Sequence, residues 1–264
     1  MTAQDTRQAL QQWFGSPLGQ MVRDAEHGAV CELLGRREGM HLLQVGAYGS
    51  QPDLCVPSAV RHWTTDVVGS PGLALRAWPD DLPLKSDSLD AVVLVHVLEF
   101  ADAPHPILRE AVRVLAPDGV LLIIGFNPLS LWGLNRAVLG LCRFGVPWSG
   151  HYYGAQRLKD WCSLLSMEPI AGRRLLFRPP IGRPGLQQRL MPLESFGSRW
   201  LSWFGGVNIV VSRKRVSRII PFSSKPMPVR SQPQGVQGAQ NVQNGQGRYA
   251  RSNTQTRSTN KIED

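Results

Sequence analysis

Leu42-Leu43-Gln44-Val45-Gly46-Ala47-Tyr48-Gly49-Ser50 reads as a buried strand that runs into a turn of small residues. Leu42 to Val45 is apolar apart from Gln44, and Gly46 permits a backbone conformation that a side chain would block. At the end of the first strand of an α/β sheet, such a turn brings backbone N–H groups up to a nucleotide-like ligand. Gly46-x-x-Gly49 also occurs in ordinary strand-to-helix turns, so its meaning depends on what surrounds it.

Upstream, Gln4 to Phe14 is expected to be a short helix. Ser16-Pro17 has the form of an N-cap followed by Pro at the first helical position. A second helix, Leu18 to Arg37, is expected to end at Gly39, with Met21, Val22, Ala25, Ala29, Val30, Leu33 and Leu34 on one face. This leader shows no chemistry of its own and is expected to pack on the sheet or shelter a ligand. Downstream, Gln51 to Ser58 is irregular, and Val60 to Asp66 is a second strand. Asp66 lies 20 residues after Gly46, where one carboxylate can accept from two adjacent ribose hydroxyls. Leu73 to Ala77 reads as a short third strand.

Leu89-Asp90-Ala91-Val92-Val93-Leu94-Val95-His96 has the composition of a strand buried on both faces. Val97 to Phe100 then leaves it at the end where open α/β sheets hold ligands. Asp102 is expected to cap a helix with Pro104 in its first turn and Ile107, Leu108, Ala111, Val114 and Leu115 as its apolar stripe. Val120 to Phe126 is a fifth, wholly apolar strand. His151 to Met167 contains a further helix, and Ile170 to Phe177 and Val207 to Ser212 are expected to be strands six and seven. Alternation of this kind implies right-handed βαβ units in a doubly wound, mostly parallel sheet.

The net charge of +9 over 264 residues is unevenly placed. Residues 1–212 hold 19 Lys and Arg against 18 Asp and Glu, a balance of +1, whereas residues 213–264 hold 10 against 2, or +8. The basic character therefore belongs to the tail. Cys31, Cys55, Cys142 and Cys162 are widely spaced and suit neither a zinc site nor a disulfide framework. His62, His105 and His151 show no metal spacing either, so no metal is expected. The polar start from Met1 to Leu10 has no secretory apolar core, and no apolar run is long enough to span a bilayer. A cytoplasmic setting is the expectation.

Taken in order, Leu82-Pro83-Leu84, Ser88-Leu89-Asp90-Ala91-Val92, His96-Val97-Leu98-Glu99, Leu108-Arg109-Glu110 and Arg113-Val114-Leu115-Ala116-Pro117-Asp118-Gly119 form a series. This series resembles class I S-adenosylmethionine-dependent methyltransferases of the type 11 subgroup, over about residues 40–215. The resemblance implies a seven-stranded Rossmann-like sheet and S-adenosylmethionine as donor of a sulfonium methyl group. It implies cofactor contacts from Gly46, Ala47, Tyr48 and Gly49 in the turn and from Asp66 at the ribose. It also implies contacts from Trp78 beside adenine, with Asp80 and Asp81 near, and from His96 and Val97 along the methionine moiety. The glycine motif is degraded: Gln44 replaces the usual acid and Tyr48 the second glycine. His96 can take a proton from a nucleophile that carries one, or simply pack at its strand end. Glu99 can orient a ligand or be solvated.

The expected organisation is a helical leader (1–40), a methyltransferase domain (41–215) with inserts at 129–155 and 178–206, and a disordered, basic, polar tail (216–264). The inserts carry Trp132, Trp148, Trp200 and Trp203. Three readings stand for them: a lid over a small apolar or amphipathic acceptor, packing on the domain's own core, or contact with a membrane surface. The tail's Arg213-Lys214-Arg215 and Arg218 can meet nucleic acid or anionic lipid, but no nucleic-acid module accompanies them. The alternatives to a methyltransferase are a catalytically silent binding protein on the same fold and a nicotinamide-dependent oxidoreductase. The latter lacks the G-x-G-x-x-G fingerprint.

Overall fold

The structure is a computed structural model that describes residues 3–35, 39–46, 48, 61–66, 75–141, 145–182, 185 and 189–215. Expectations for residues 51–58 and for the tail from 216 lie outside the described residues.

Seven strands form one sheet: β1 (His41–Val45), β2 (Arg61–Asp66), β3 (Leu75–Arg76), β4 (Leu89–Val95), β5 (Leu115–Phe126), β6 (Met167–Leu175) and β7 (Val207–Lys214). Their order is β3-β2-β1-β4-β5-β7-β6. β1 to β5 pair in parallel, and β7 runs antiparallel to both β5 and β6. That order departs from the all-parallel 3-2-1-4-5-6 sheet of dinucleotide-binding oxidoreductases.

The helices are α1 (Ala3–Phe14), α2 (Pro17–Leu34), α3 (Pro104–Val114), α4 (Leu131–Leu141), α5 (Ala155–Leu164) and α6 (Met191–Trp200). They cover both sheet faces, which is why the central strands are apolar without alternation. One face packs Leu42, Val93, Leu122 and Ile209 against Leu10, Phe14, Val22 and Val30 of the leader. The other packs Leu43, Val92, Leu94 and Leu121 against Leu108 of α3 and Leu158 and Trp161 of α5.

Ser16 caps α2 as expected, its hydroxyl oxygen accepting from the Gly19 N–H at 3.1 Å. The helix ends earlier than expected, at Gly35 rather than Gly39. Gly35 has φ +64°, a value that favours glycine, and its N–H bonds the Cys31 carbonyl, so the chain leaves the helix there. α3 begins at Pro104 after Ala103, without a side-chain cap from Asp102. Pro104 and Pro106 remove two of the first-turn N–H donors that a cap would satisfy. β6 starts three residues before the expected Ile170. Its register against β7 shifts between Pro169 and Ala171, and this irregularity breaks the alternation by which a strand is read.

Candidate active site

The C-terminal ends of β1, β2 and β4 bring Gly46, Asp66 and His96 to one end of the sheet. β1 runs out into Gly46, whose N–H donates to the Thr65 carbonyl at 2.8 Å. Its φ is +96°, and a Cβ there would lie 2.5 Å from the Val95 carbonyl oxygen and 2.6 Å from an Arg7 guanidinium nitrogen. Glycine is therefore required by both conformation and close approach. Ala47 and Gly49 lie outside the described residues.

Asp66 is the last residue of β2 and is almost wholly buried. Arg7 of α1 grips its carboxylate with two bonds, Nε to Oδ1 at 3.2 Å and Nη2 to Oδ2 at 2.8 Å. Gln11 donates to Oδ2 at 3.1 Å. The remaining guanidinium nitrogen, Nη1, donates to the His96 carbonyl at 3.0 Å. One side chain of the leader thus ties the ends of β2 and β4 to α1. Beside it lies a cleft of about 190 Å³ whose lining includes Arg7, Trp78, Asp80, Val97 and Phe100. Trp78 is 51% exposed, which leaves ring surface for stacking.

His96 follows β4 with φ +47°, a conformation uncommon for a residue with a side chain, and its ring is fully buried. Nε2 lies 2.8 Å from Glu26 Oε1 and Nδ1 2.9 Å from Glu99 Oε1. Carboxylate oxygens only accept, so both ring nitrogens donate and the ring is an imidazolium. Burial alone pushes the imidazole down, but the negative charges of Glu26 and Glu99, with their hydrogen bonds, outweigh it and raise the pKa to about 10. This arrangement leaves no ring nitrogen to take a proton from a substrate.

Tyr48 turns into the core. Its hydroxyl donates to Glu26 Oε2 at 2.7 Å, and its ring packs against Phe14 and His27. Glu99 Oε1 also accepts from the Phe126 N–H at 2.8 Å, while its Oε2 is buried without a hydrogen-bond partner. A Cβ at Gly125 would lie 2.9 Å from Glu99 Oε1, so glycine admits the carboxylate between β4 and β5. Glu99 is an inward-facing member of the cluster and is not solvated.

The cluster has a pH signature. The folded protein holds the His96 proton up to pH about 10, whereas the unfolded chain releases it near 6.5. The stabilisation is therefore complete below pH 6.5 and is lost as pH rises through 10. Melting curves between pH 6 and 10 should show a falling Tm. Its slope should flatten in His96→Gln, and an unchanged slope would show that His96 is not the titrating group.

Arg7, Gln11 and Glu26 were not expected at this site. The available signal was Glu26 itself, a charge four residues from both Val22 and Val30 inside the apolar stripe of α2. The inserts divide. Trp132 is buried, stacks on Phe126 at 5.7 Å and donates from Nε1 to the Arg178 carbonyl, and Trp148 packs beside it. Trp200 and Trp203 are exposed. Among the described residues, no cluster of three His, Cys, Asp or Glu suits a metal, and no helix is long and apolar enough to cross a membrane.

The sheet order, the glycine turn and the acid at the end of β2 define a class I methyltransferase fold. The methyltransferase domain family model matches residues 55–123. The chain belongs to the class I S-adenosylmethionine-dependent methyltransferases, type 11 subgroup, whose cofactor is S-adenosylmethionine. It is 31% identical to the uncharacterized protein YafS of Escherichia coli K12 over 219 residues, covering 81% of this chain and 84% of that one. Two solved structures share the fold. A SAM-dependent methyltransferase from Thermotoga maritima has a TM-score of 0.56 at 18% identity, covering 77% of this chain and 94% of that one. A chain of the complex between the Haloferax volcanii Trm112 methyltransferase activator and the "putative methyltransferase" has a TM-score of 0.54 at 17% identity, covering 81% and 98%.

The residues fit that cofactor in kind: a carboxylate at the end of β2, a glycine turn at the end of β1 and an exposed indole at the cleft. The cleft is smaller than the roughly 300–1,000 Å³ usual for a ligand of this size. Arg7 and Gln11 also close Asp66 off from it.

Proposed function

We propose that the chain is an enzyme that methylates a small apolar or amphipathic acceptor in the cytoplasm. S-adenosylmethionine supplies a sulfonium methyl group, already a strong electrophile, so the protein's task is positioning and desolvation. Asp66 would take the ribose hydroxyls, the backbone after Gly46 the methionine end, and Trp78 with Asp80 the adenine side. His96 and Val97 would wall the methionine moiety. His96 would do so through its backbone, since its ring is turned into the core and held there as an imidazolium by Glu26 and Glu99, and any proton of the acceptor leaves by another route. The observation that carries this reading is the gathering of Gly46, Asp66, Trp78 and His96 at one end of the sheet.

A second reading has its own observation. Asp66 is fully engaged by the chain's own Arg7 and Gln11, as suits a methyltransferase fold that binds a partner and transfers nothing. A thermal-shift titration separates the two. At about 100 times its dissociation constant the cofactor should add roughly 2.7 kcal/mol, a rise of about 5–10 °C in a domain of this size. The rise should be lost in Asp66→Asn. No shift at saturating S-adenosylmethionine or S-adenosylhomocysteine would favour the silent reading.

A further inference from the structure

α6 is held to the domain by its inner face. Gly197 sits so close to Phe177 that a Cβ would lie 2.4 Å from it. Glu194 accepts the N–H groups of Leu176 and Phe177 at 2.9 and 3.1 Å and the Arg178 guanidinium at 3.2 Å. Its outer side is fixed in consequence, with an apolar flank running beside the exposed Ser195, Ser198 and Arg199. Leu193, Phe196 and Trp200 follow at helical spacing and are 41, 55 and 70% exposed. Trp203, just beyond the helix, is 54% exposed. α4 presents a second outward stripe, Leu134 and Val138, at 61 and 59%.

The two elements belong to the same end of the sheet. α4 follows the end of β5 and Trp203 precedes the start of β7, and Phe126 pairs with Val207 there. Asn127 donates from its amide nitrogen to the carbonyls of Leu129, Trp203 and Gly205, joining the two segments. This is also the end at which Gly46, Asp66 and His96 stand.

Charge separates these segments from the rest of the domain. Residues 129–155 and 178–206 carry six Arg and one acid, a balance of +5, whereas the rest of residues 1–212 carries 13 basic against 17 acidic residues, or −4. The one acid, Glu194, is spent on the inner bonds. A surface with fixed aromatic and aliphatic side chains, the exposed Arg189 and Arg199 of the same segment and no free acid of its own matches an interface between acyl chains and anionic headgroups. A second copy of the chain would set +5 against +5.

We propose that the outer faces of α4 and α6, with Trp203, dock on the surface of an anionic lipid bilayer and turn the end of the sheet that carries the candidate cofactor site toward it. The surface inserts shallowly and does not span. This inference stands apart from methyl transfer and is tested without it.

The experiment is flotation of the full chain with phosphatidylcholine vesicles, with and without phosphatidylserine, together with tryptophan quenching by brominated acyl chains. The chain should float with the anionic vesicles, and its fluorescence should be quenched. Phe196→Ser/Trp200→Ser should weaken binding roughly tenfold or more, in proportion to the apolar surface withdrawn, and remove most of the quenching. The substituted side chains are exposed, so the melting temperature should hold. Because residues 216–264 carry seven Lys and Arg against two acids, or +5, they can adsorb to anionic vesicles by charge alone. Binding without acyl-chain quenching, or binding that the double variant leaves intact, would assign the effect to the tail and overturn the proposal. Failure to float, or a concentration-dependent dimer dispersed by the double variant, would overturn it as well.

Discussion

Glu26→Ala should lower the melting temperature by roughly 6–20 °C. Glu26 is fully buried and satisfies two buried donors, His96 Nε2 at 2.8 Å and the Tyr48 hydroxyl at 2.7 Å. Removing it leaves an imidazolium with one counter-charge in place of two and takes from the phenol the acceptor that Glu26 supplied. Breaking a buried ion pair in this way costs about 3–5 kcal/mol, and each kcal/mol moves the midpoint of a domain this size by about 2–4 °C. Glu26→Gln keeps an oxygen that can accept one of the two bonds but loses the charge, so its loss should be smaller. It should also lessen the fall of Tm with pH, since Glu26 is one of the two charges that hold the His96 proton. Calorimetry of the three proteins at pH 7 and pH 9 measures both effects. A shift below about 2 °C for Glu26→Ala would mean that α2 does not deliver this carboxylate to His96.

Arg7→Met should be comparably damaging, and the reason is testable by a cycle. The guanidinium fork makes two bonds to Asp66 and one to the His96 carbonyl, all buried. Methionine fills much of the volume and leaves Asp66 buried with Gln11 in place of an ion pair. The expected cost is again about 3–5 kcal/mol. Arg7→Met/Asp66→Asn should be far less unstable than the two single losses added together, with a coupling of up to about 3 kcal/mol. Arg7→Lys should rescue only in part, because an ammonium cannot reproduce the two-pronged grip. Urea unfolding of the four proteins of the cycle gives the coupling directly. Additive losses would show that α1 lies on the sheet without this latch.

The sheet was legible because its central strands are buried on both faces, and Leu42–Val45, Leu89–Val95 and Val120–Phe126 have almost no other reading. The order of the motifs supplied the rest of the topology. Boundaries were less legible where one backbone conformation decides them: Gly35 rather than Gly39 at the end of α2, and the irregular pairing at Pro169 in β6. At the site, Gly46, Asp66, Trp78 and His96 stood out because each ends a strand or follows one within two residues. Arg7, Gln11 and Glu26 did not, because their partners lie 59, 55 and 70 positions away in the chain. Local periodicity carries no record of such distant pairing. It assigns a helix face to the core without saying whether a charge on that face has a partner there. Glu99 could not be read either way from sequence, since its burial depends on the missing side chain at Gly125 on another strand.

The place of β7 bears on how the chain is made. The last strand in sequence is not at an edge of the sheet but between β5 and β6, bonded to both. During synthesis from the N-terminus, β1 to β5 can assemble early, yet β5 keeps an open hydrogen-bonding edge until residues 207–214 have emerged. β6 has no partner in the sheet until then. A ribosome that stalls within α6, or a message cut short before Val207, releases a chain with an unpaired edge on the wholly buried, apolar Leu121–Phe126. That is the kind of intermediate that aggregates or recruits chaperones. Completion of the fold is therefore postponed to the eight residues of β7, and premature termination anywhere before them yields a sticky fragment rather than a smaller working domain.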